Sequence, residues 1–237
     1  MVKISRSFIW IAVVVVVVVV FGFVFLSIRL NQKQSREQAE AVIASTQAAE
    51  NIQTFQATKV PVLEKTDRFV GEAKAKIKIF VYEDYSSQYS ADLAETLKRL
   101  ASDYSGQVVI VFRPFLSNNP SVVLGAQALD CSGDKWPMMR DSIFKLVKDN
   151  KLSAAGLAET AGQNGLDSDD FAKCLSALPN PEKSAKIAQE IKDYSILGAP
   201  TMFINDSLIV GARPYDDYTD SNGDKVAGLK NVIESLK

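Results

Sequence analysis

Phe8 to Ile28 is a run of 21 residues without a formal charge, and eight consecutive valines, Val13 to Val20, lie inside it. A helix of about 20 apolar residues spans a hydrocarbon core of roughly 30 Å, a length a buried core helix rarely needs. The competing reading is a cleavable leader, because Lys3 and Arg6 precede the run. A leader has a shorter apolar region, about 7 to 15 residues, with a small-x-small cleavage site close behind. Arg29-Leu30-Asn31-Gln32-Lys33 follows here instead, so residues 1–30 are expected to form an uncleaved, single-pass transmembrane anchor. Lys3 and Arg6 on one side, against Arg29, Lys33 and Arg36 on the other, leave its orientation undecided by charge. The short N-terminal tail and a cysteine pair further along favour an extracytoplasmic C-terminal domain, where disulfides persist.

Asn31 to Thr58 is rich in Gln, Ala and Glu and contains neither Gly nor Pro, so its intrinsic preference is helical. A helix from Asn31 to Gln56 would be about 39 Å long. Its apolar positions, Val42, Ile43, Ala49, Ile52 and Phe55, are too sparse for a heptad seam. A solvated helical stalk over residues 31–59 is expected, with self-association through it as the alternative.

Composition removes whole classes of chemistry. A formal net charge of -1 without a basic stripe argues against nucleic acid as a partner. The chain has no histidine, which excludes Ser-His and Cys-His catalysis, and its two cysteines cannot complete a closed zinc site. No cofactor and no metal are expected.

The remaining residues, 60–237, read as one globular domain. Ala75 to Asp84 alternates and then turns continuously apolar, the pattern of a strand covered on both faces. From Ser87 to Tyr104, Leu93, Ala94, Leu97, Leu100, Ala101 and Tyr104 share one helical face; Gly106 ends the helix, and Val108 to Phe112 reads as a second buried strand. Strand, helix, strand is a right-handed parallel crossover. Short helical patterns then replace strands: Val122 to Leu129, Pro137 to Val147, Ala154 to Ala161 and Ser168 to Leu178, punctuated by Gly133, Gly162, Gly165 and Pro179. A longer helix starts at Pro181, strands resume at Thr201 to Asn205 and Ser207 to Val210 around an Asn205-Asp206 turn, and a helix over about Lys225 to Leu236 closes the chain. The predicted order is β-α-β, an all-helical insertion over about residues 118–180, then α-β-β-α.

Within that order, Glu83-Asp84-Tyr85-Ser86-Ser87-Gln88-Tyr89-Ser90 resembles the Asp-aromatic-x-Cys-Pro-aromatic-Cys signature of the DsbA-like thioredoxin family, with Ser87 and Ser90 where the cysteines would stand. Leu197-Gly198-Ala199-Pro200-Thr201-Met202-Phe203-Ile204-Asn205 is similar to that family's Gly-Thr-Pro-Thr-aromatic-x-Ile-Asn-Gly strand. Ile209-Val210-Gly211-Ala212 and Lys135-Trp136-Pro137 match its layout. The resemblance covers roughly Phe69 to Leu236. It implies an α/β, thioredoxin-like fold with an inserted helical domain, a cis Pro200, and a surface that holds extended polypeptide at Ala199, Pro200 and Thr201 opposite Gln88 and Tyr89.

The serines change the chemistry. Thiol-disulfide exchange needs a thiolate that attacks a disulfide sulfur, and a serine hydroxyl neither ionises at neutral pH nor forms a stable mixed intermediate with sulfur. Serine catalysis needs an adjacent base, and only Glu83, a candidate buried carboxylate beneath the motif, is available. The bland expectation is that Ser86 or Ser87 caps the helix, a hydrogen bond worth about 1 kcal/mol. Cys131 and Cys174 fall on separate predicted helices, at mid-helix positions without the helix N-terminal field that activates a thiol. A structural disulfide is the leading reading, against two buried thiols or a relocated redox pair. Asp216, Asp217, Asp220, Asn222 and Asp224 resemble pieces of a calcium loop, but Lys225 and Asn231 stand where its glycine and its bidentate glutamate should be, so a solvated acidic loop is expected.

Two functions from different classes fit. One is a membrane-anchored, redox-inactive module that binds extended polypeptide or another envelope protein. The other is a thiol-disulfide oxidoreductase of envelope protein disulfide formation, acting through Cys131 and Cys174 or a partner thiol. Fold favours the second and the site favours the first, and function is argued from the site.

Overall fold

The computed structural model describes Arg29, residues 55–177 and residues 179–237. The expected anchor, Phe8 to Ile28, and almost all of the expected stalk lie outside these residues. Among the described residues no helix is long and apolar enough to cross a membrane.

The central strand is β3 (Ile77–Glu83), which forms where the sequence turns continuously apolar and buries every residue but Lys78. It crosses through α1 (Gln88–Asp103) to β4 (Val108–Pro114), parallel and in register from Ile77↔Val108 to Glu83↔Pro114. Gly106, at φ 75°, makes the turn that ends the helical stretch. On the other side of β3 lies β5 (Thr201–Ile204), antiparallel, joined to β6 (Ser207–Val210) by the Asn205-Asp206 turn with Asn205 at φ 53°. Two further strands, β1 (Phe55–Gln56) and β2 (Arg68–Gly71), complete a sheet in the order β1-β6-β5-β3-β4-β2.

Between β4 and the long helix α6 (Pro181–Asp193) stand α2 (Pro120–Asp130), α3 (Trp136–Lys148), α4 (Ala154–Gln163) and α5 (Ser168–Ser176). Side-chain caps on Asn119, Ser153, Asp167 and Asn180 start α2, α4, α5 and α6. The helical insertion therefore occupies the place the sequence gives it.

Two expectations are corrected. Phe55 and Gln56, expected to end the stalk helix, instead pair with Leu208 and Ser207 at the sheet edge. The unpaired main-chain groups of β6 outcompete a weak helical propensity there. Lys225 and Val226, expected to begin the last helix, form strand β8 (Lys225–Val226) against β7 (Tyr218–Thr219), and α7 is only Leu229–Glu234. The cause is local hydrogen bonding. The Asp220 carboxylate accepts from the N–H groups of Asn222 (2.8 Å) and Asp224 (3.0 Å), and Asp217 accepts from Gly228 N–H (2.8 Å) and the Asn231 amide. The stretch that resembled a calcium loop spends these carboxylates on its own hairpin.

The strand alternation sorts the core. Ile77, Ile79, Val81, Ile110 and Met202 pack with Leu93, Leu97 and Leu100 of α1 and Leu229 and Ile233 of α7. Phe80, Tyr82, Val109, Val111 and Phe203 face the other way, with Ile191 of α6 and Tyr194 against them. The inserted helices build a separate cluster from Leu129, Ile143, Phe144, Leu157 and Phe171, which reaches Tyr85, Ala91 and Ala94. Gly125 allows this approach, since a Cβ there would sit 2.5 Å from the Tyr85 Cβ.

Two ties fasten the insertion. The Arg140 guanidinium donates Nε to Glu83 Oε2 at 2.9 Å and Nη2 to Glu83 Oε1, with both side chains buried. Burial opposes the Arg140 charge, but Glu83 outweighs it and holds the guanidinium above its ordinary pKa. Cys131 and Cys174 form a disulfide with Cα atoms 5.8 Å apart. Their setting differs from the mid-helix expectation: Cys131 is the C-cap of α2, and Cys174 lies in the last turn of α5.

Replacing Arg140 with Met strands a buried carboxylate and is expected to cost about 3–5 kcal/mol in urea denaturation, most of which Glu83→Leu restores in the double variant. Joint Cys131→Ser and Cys174→Ser releases a closure of 43 positions. The expected loss, measured the same way, is about 2–4 kcal/mol.

Candidate functional site

Register brings the two motif stretches to one end of the sheet. Tyr82 of β3 pairs with Thr201 of β5, so the chain leaves β3 into the Asp84–Ser87 turn where it enters β5 from Ala199 and Pro200. The Ala199–Pro200 bond is cis, as the resemblance implies. Pro200 C=O accepts from Gly211 N–H at 2.8 Å, and the Thr201 hydroxyl donates to Gly198 C=O at 2.7 Å. Pro200 and Thr201 are thus buried and fixed, while Gly198 and Ala199 are half-buried at the surface.

Ser87 is the N-cap residue of α1 by position, at φ -94° and ψ 130°, but its side chain makes no cap hydrogen bond. This corrects the expectation of a serine cap. Ser86 is turned away from the helix: its N–H and its hydroxyl both donate to Asp84 Oδ1 at 2.7 Å, and the Asn119 amide donates to its Oγ at 3.3 Å. Ser90 is fully buried, and its Oγ accepts from Asp84 N–H at 3.2 Å. Of the two motif serines, one is locked into the turn and the other is half-buried at the start of the helix.

Glu83 lies beneath the motif, fully buried as expected, and its bidentate pair with Arg140 leaves it no role as a free base. Burial raises the Tyr85 phenol far above its ordinary range, with the Glu83 charge adding to the effect, so it stays protonated. Serine, carboxylate and phenol are all present here, yet none is poised as a nucleophile or base.

The expected binding residues divide. Tyr89 is 70 % exposed on the first turn of α1. Gln88, expected beside it, donates its amide to Val147 C=O at 2.6 Å and so joins α1 to the end of α3. Leu197, not singled out from sequence, is 96 % exposed in the loop leading to Pro200. An apolar residue in a loop has no periodicity to reveal its exposure. Asn119 and Arg140 were also missed, because their partners are distant in sequence.

At the same end of the sheet, where Arg113 stands in register with Tyr82, a second charged cluster forms around Arg113. It donates to both Asp67 oxygens at 2.9 and 2.8 Å, to Glu190 at 2.5 Å and to Val62 C=O at 2.7 Å, and Tyr82 donates to Glu190. These contacts fasten α6, and through it the loop before Pro200.

The family model described as Thioredoxin matches residues 63–221, well over half of the 237-residue chain. Among solved structures, oxidised BdbD from Bacillus subtilis is similar at 16% identity and a TM-score of 0.60, covering 77% of this chain and 98% of that one. A thioredoxin-like oxidoreductase from Silicibacter pomeroyi DSS-3 is similar at 17% identity and a TM-score of 0.57, covering 73% and 91%. For α-DsbA1 from Wolbachia pipientis the values are 19%, 0.55, 74% and 92%. No curated protein matches the chain by sequence. At such identities the likeness to solved structures concerns the fold and leaves the chemistry to the residues present. With sheet, cis-proline turn and helical insertion all in place, the chain belongs to the thioredoxin family and has the DsbA-like form of its fold.

Proposed function

We propose that this protein is a membrane-anchored, extracytoplasmic thioredoxin-like module that holds extended polypeptide without exchanging electrons with it. The observation that carries the reading is the oxygen chemistry of the motif. Ser87 and Ser90 stand where a dithiol cycle requires sulfur, and Ser90 is committed to the Asp84 N–H. The uncharged run from Phe8 to Ile28 supports the anchor, and the cysteine pair supports an oxidising compartment.

Binding survives the loss of sulfur, because it rests on main-chain pairing and apolar contact. Tyr89, on the first turn of α1, and Leu197, in the loop leading to Ala199-Pro200-Thr201, are exposed and offer that contact. The clients are segments of envelope proteins, and self-association through the stalk would present several such surfaces together.

A second reading, thiol-disulfide oxidoreductase, is favoured by one observation: Cys174 is exposed, and the disulfide lines a surface cavity. Its setting opposes it. Both cysteines sit at helix C-terminal ends, where the partial negative charge disfavours a thiolate.

In an insulin-reduction assay with dithiothreitol, the wild-type chain is expected to match the uncatalysed rate, whereas Ser87→Cys with Ser90→Cys gains turnover. Wild-type turnover that disappears in Cys131→Ser would replace this reading with the second.

A further inference from the structure

Residues 57–67 carry the chain from β1, at one edge of the sheet, to β2, at the other. They cross the face that also carries α6: Ala57 and Leu63 pack against its core cluster, and Val62 C=O accepts from Arg113 at 2.7 Å. Register puts three further side chains on the same face. Phe55 stands opposite Leu208, Phe69 opposite Val111 and Lys78 opposite Val109, and each of those partners lies in or against that cluster.

The outer surface of this stretch is both apolar and cationic. Eight large apolar residues are exposed among the described residues, and four of them fall here: Phe55 (65 %), Val60, Val62 (67 %) and Phe69. A single exposed apolar residue is ordinary, but four on one short stretch mark a contact surface. The charge runs against that of the whole chain, for residues 55–79 hold five lysines and one arginine against three carboxylates, a net +3 in a chain of total -1. Glu64 and Asp67 are taken by Lys186 and Arg113, as Lys59 and Arg68 are by Asp193 and Asp130. Lys65, Lys74, Lys76 and Lys78 are exposed and pair with no carboxylate among the described residues. The acids left to face them are Glu72 and Asp206, and Asp206 already accepts from the Gln56 amide at 3.2 Å. The helix α6 adds no net charge, with Lys183, Lys186 and Lys192 against Glu182, Glu190 and Asp193.

We propose that this face rests on the surface of an anionic phospholipid bilayer, with the four unpaired lysines among the lipid phosphates and the phenylalanines and valines entering the headgroup layer. An anionic surface attracts each nearby lysine, and apolar side chains add burial at the boundary between headgroups and acyl chains. A second copy of the chain is a poorer occupant, because it would set the same uncompensated lysines against one another. The inference rests on the membrane-anchored reading, which keeps a bilayer within reach of the domain. Lys74, Lys76 and Lys78 lie at the start of β3 and the Ser87 motif follows its end, so contact here leaves the polypeptide-binding surface open.

The test uses the full chain in nanodiscs of phosphatidylcholine with or without phosphatidylglycerol, each containing a diazirine-bearing phospholipid, with labelled peptides mapped by mass spectrometry. Retention of the chain by the purely zwitterionic discs checks the anchor separately. Where the chain is not retained, the anchored reading fails, and the same labelling is compared on chain added to vesicles of the two compositions. Label on the peptides carrying Phe55 to Phe69 is expected to be about tenfold stronger with the anionic lipid, and to lose that gain at about 0.5 M sodium chloride. Joint Lys65→Glu, Lys74→Glu, Lys76→Glu and Lys78→Glu should remove the gain as well. Met138 of α3, exposed elsewhere on the domain, serves as the control. The comparison of lipids needs no variant, so it decides the matter even where the variant misfolds. Equal label with the two lipid compositions, or label no stronger at Phe55 to Phe69 than at Met138, overturns the proposal.

Discussion

The Glu83–Arg140 ion pair is the contact on which the rest of the site depends. It joins the last residue of β3 to the middle of α3, and both side chains are buried. Neither charge can be left alone at that depth, because an unpaired ion in a low-dielectric interior costs several kcal/mol. Arg140 also lies over the rings of Phe112 at 4.1 Å and Phe144 at 5.0 Å, so one guanidinium spans the sheet and the helical insertion. The Gln88 amide on Val147 C=O adds a second link to the same helix. Between them, the turn from Asp84 to Ser87 and the first residue of α1 are held from below and from the side.

This support surrounds a motif with serine at the two positions, 87 and 90, where the resemblance places cysteine. The capped helices begin with a side-chain oxygen that accepts backbone N–H groups, on Asn119, Ser153, Asp167 and Asn180. Ser87 leads α1 and provides no such bond. The N-terminal end of that helix carries a partial positive charge, and Tyr89 on its first turn and Leu197 in the loop before the cis proline are exposed apolar side chains. A thiolate would profit from that field; a neutral hydroxyl gains little. What persists is shape, main-chain geometry and exposed apolar area, which suit holding a chain in place.

The parts of the fold legible in the sequence are those with a repeating pattern or a committed turn residue. The continuous apolar run of β3, the helical face from Leu93 to Leu100, the glycines and prolines that punctuate the insertion and the Asn205 turn all declare themselves locally. The strands β1, β7 and β8 are two residues each and β2 is four, too short for a period of two to register. Their existence depends on a neighbouring edge or on an aspartate several residues away. Within the site, the residue positions were legible, but their engagements were not. That Gln88 binds Val147, that Ser86 faces Asp84 and Asn119, and that Ser87 leaves its helix without a side-chain cap all follow from tertiary placement.

The central claim, that contact at this surface needs no sulfur, is tested most directly by comparing one extended apolar peptide containing a single cysteine with the same peptide carrying serine there. Their affinities for the full chain, measured by fluorescence anisotropy without reductant, are predicted to agree within about twofold, since no thiol takes part in holding the peptide. A covalent adduct with the cysteine peptide, or a preference for it of about tenfold or more, would contradict the account.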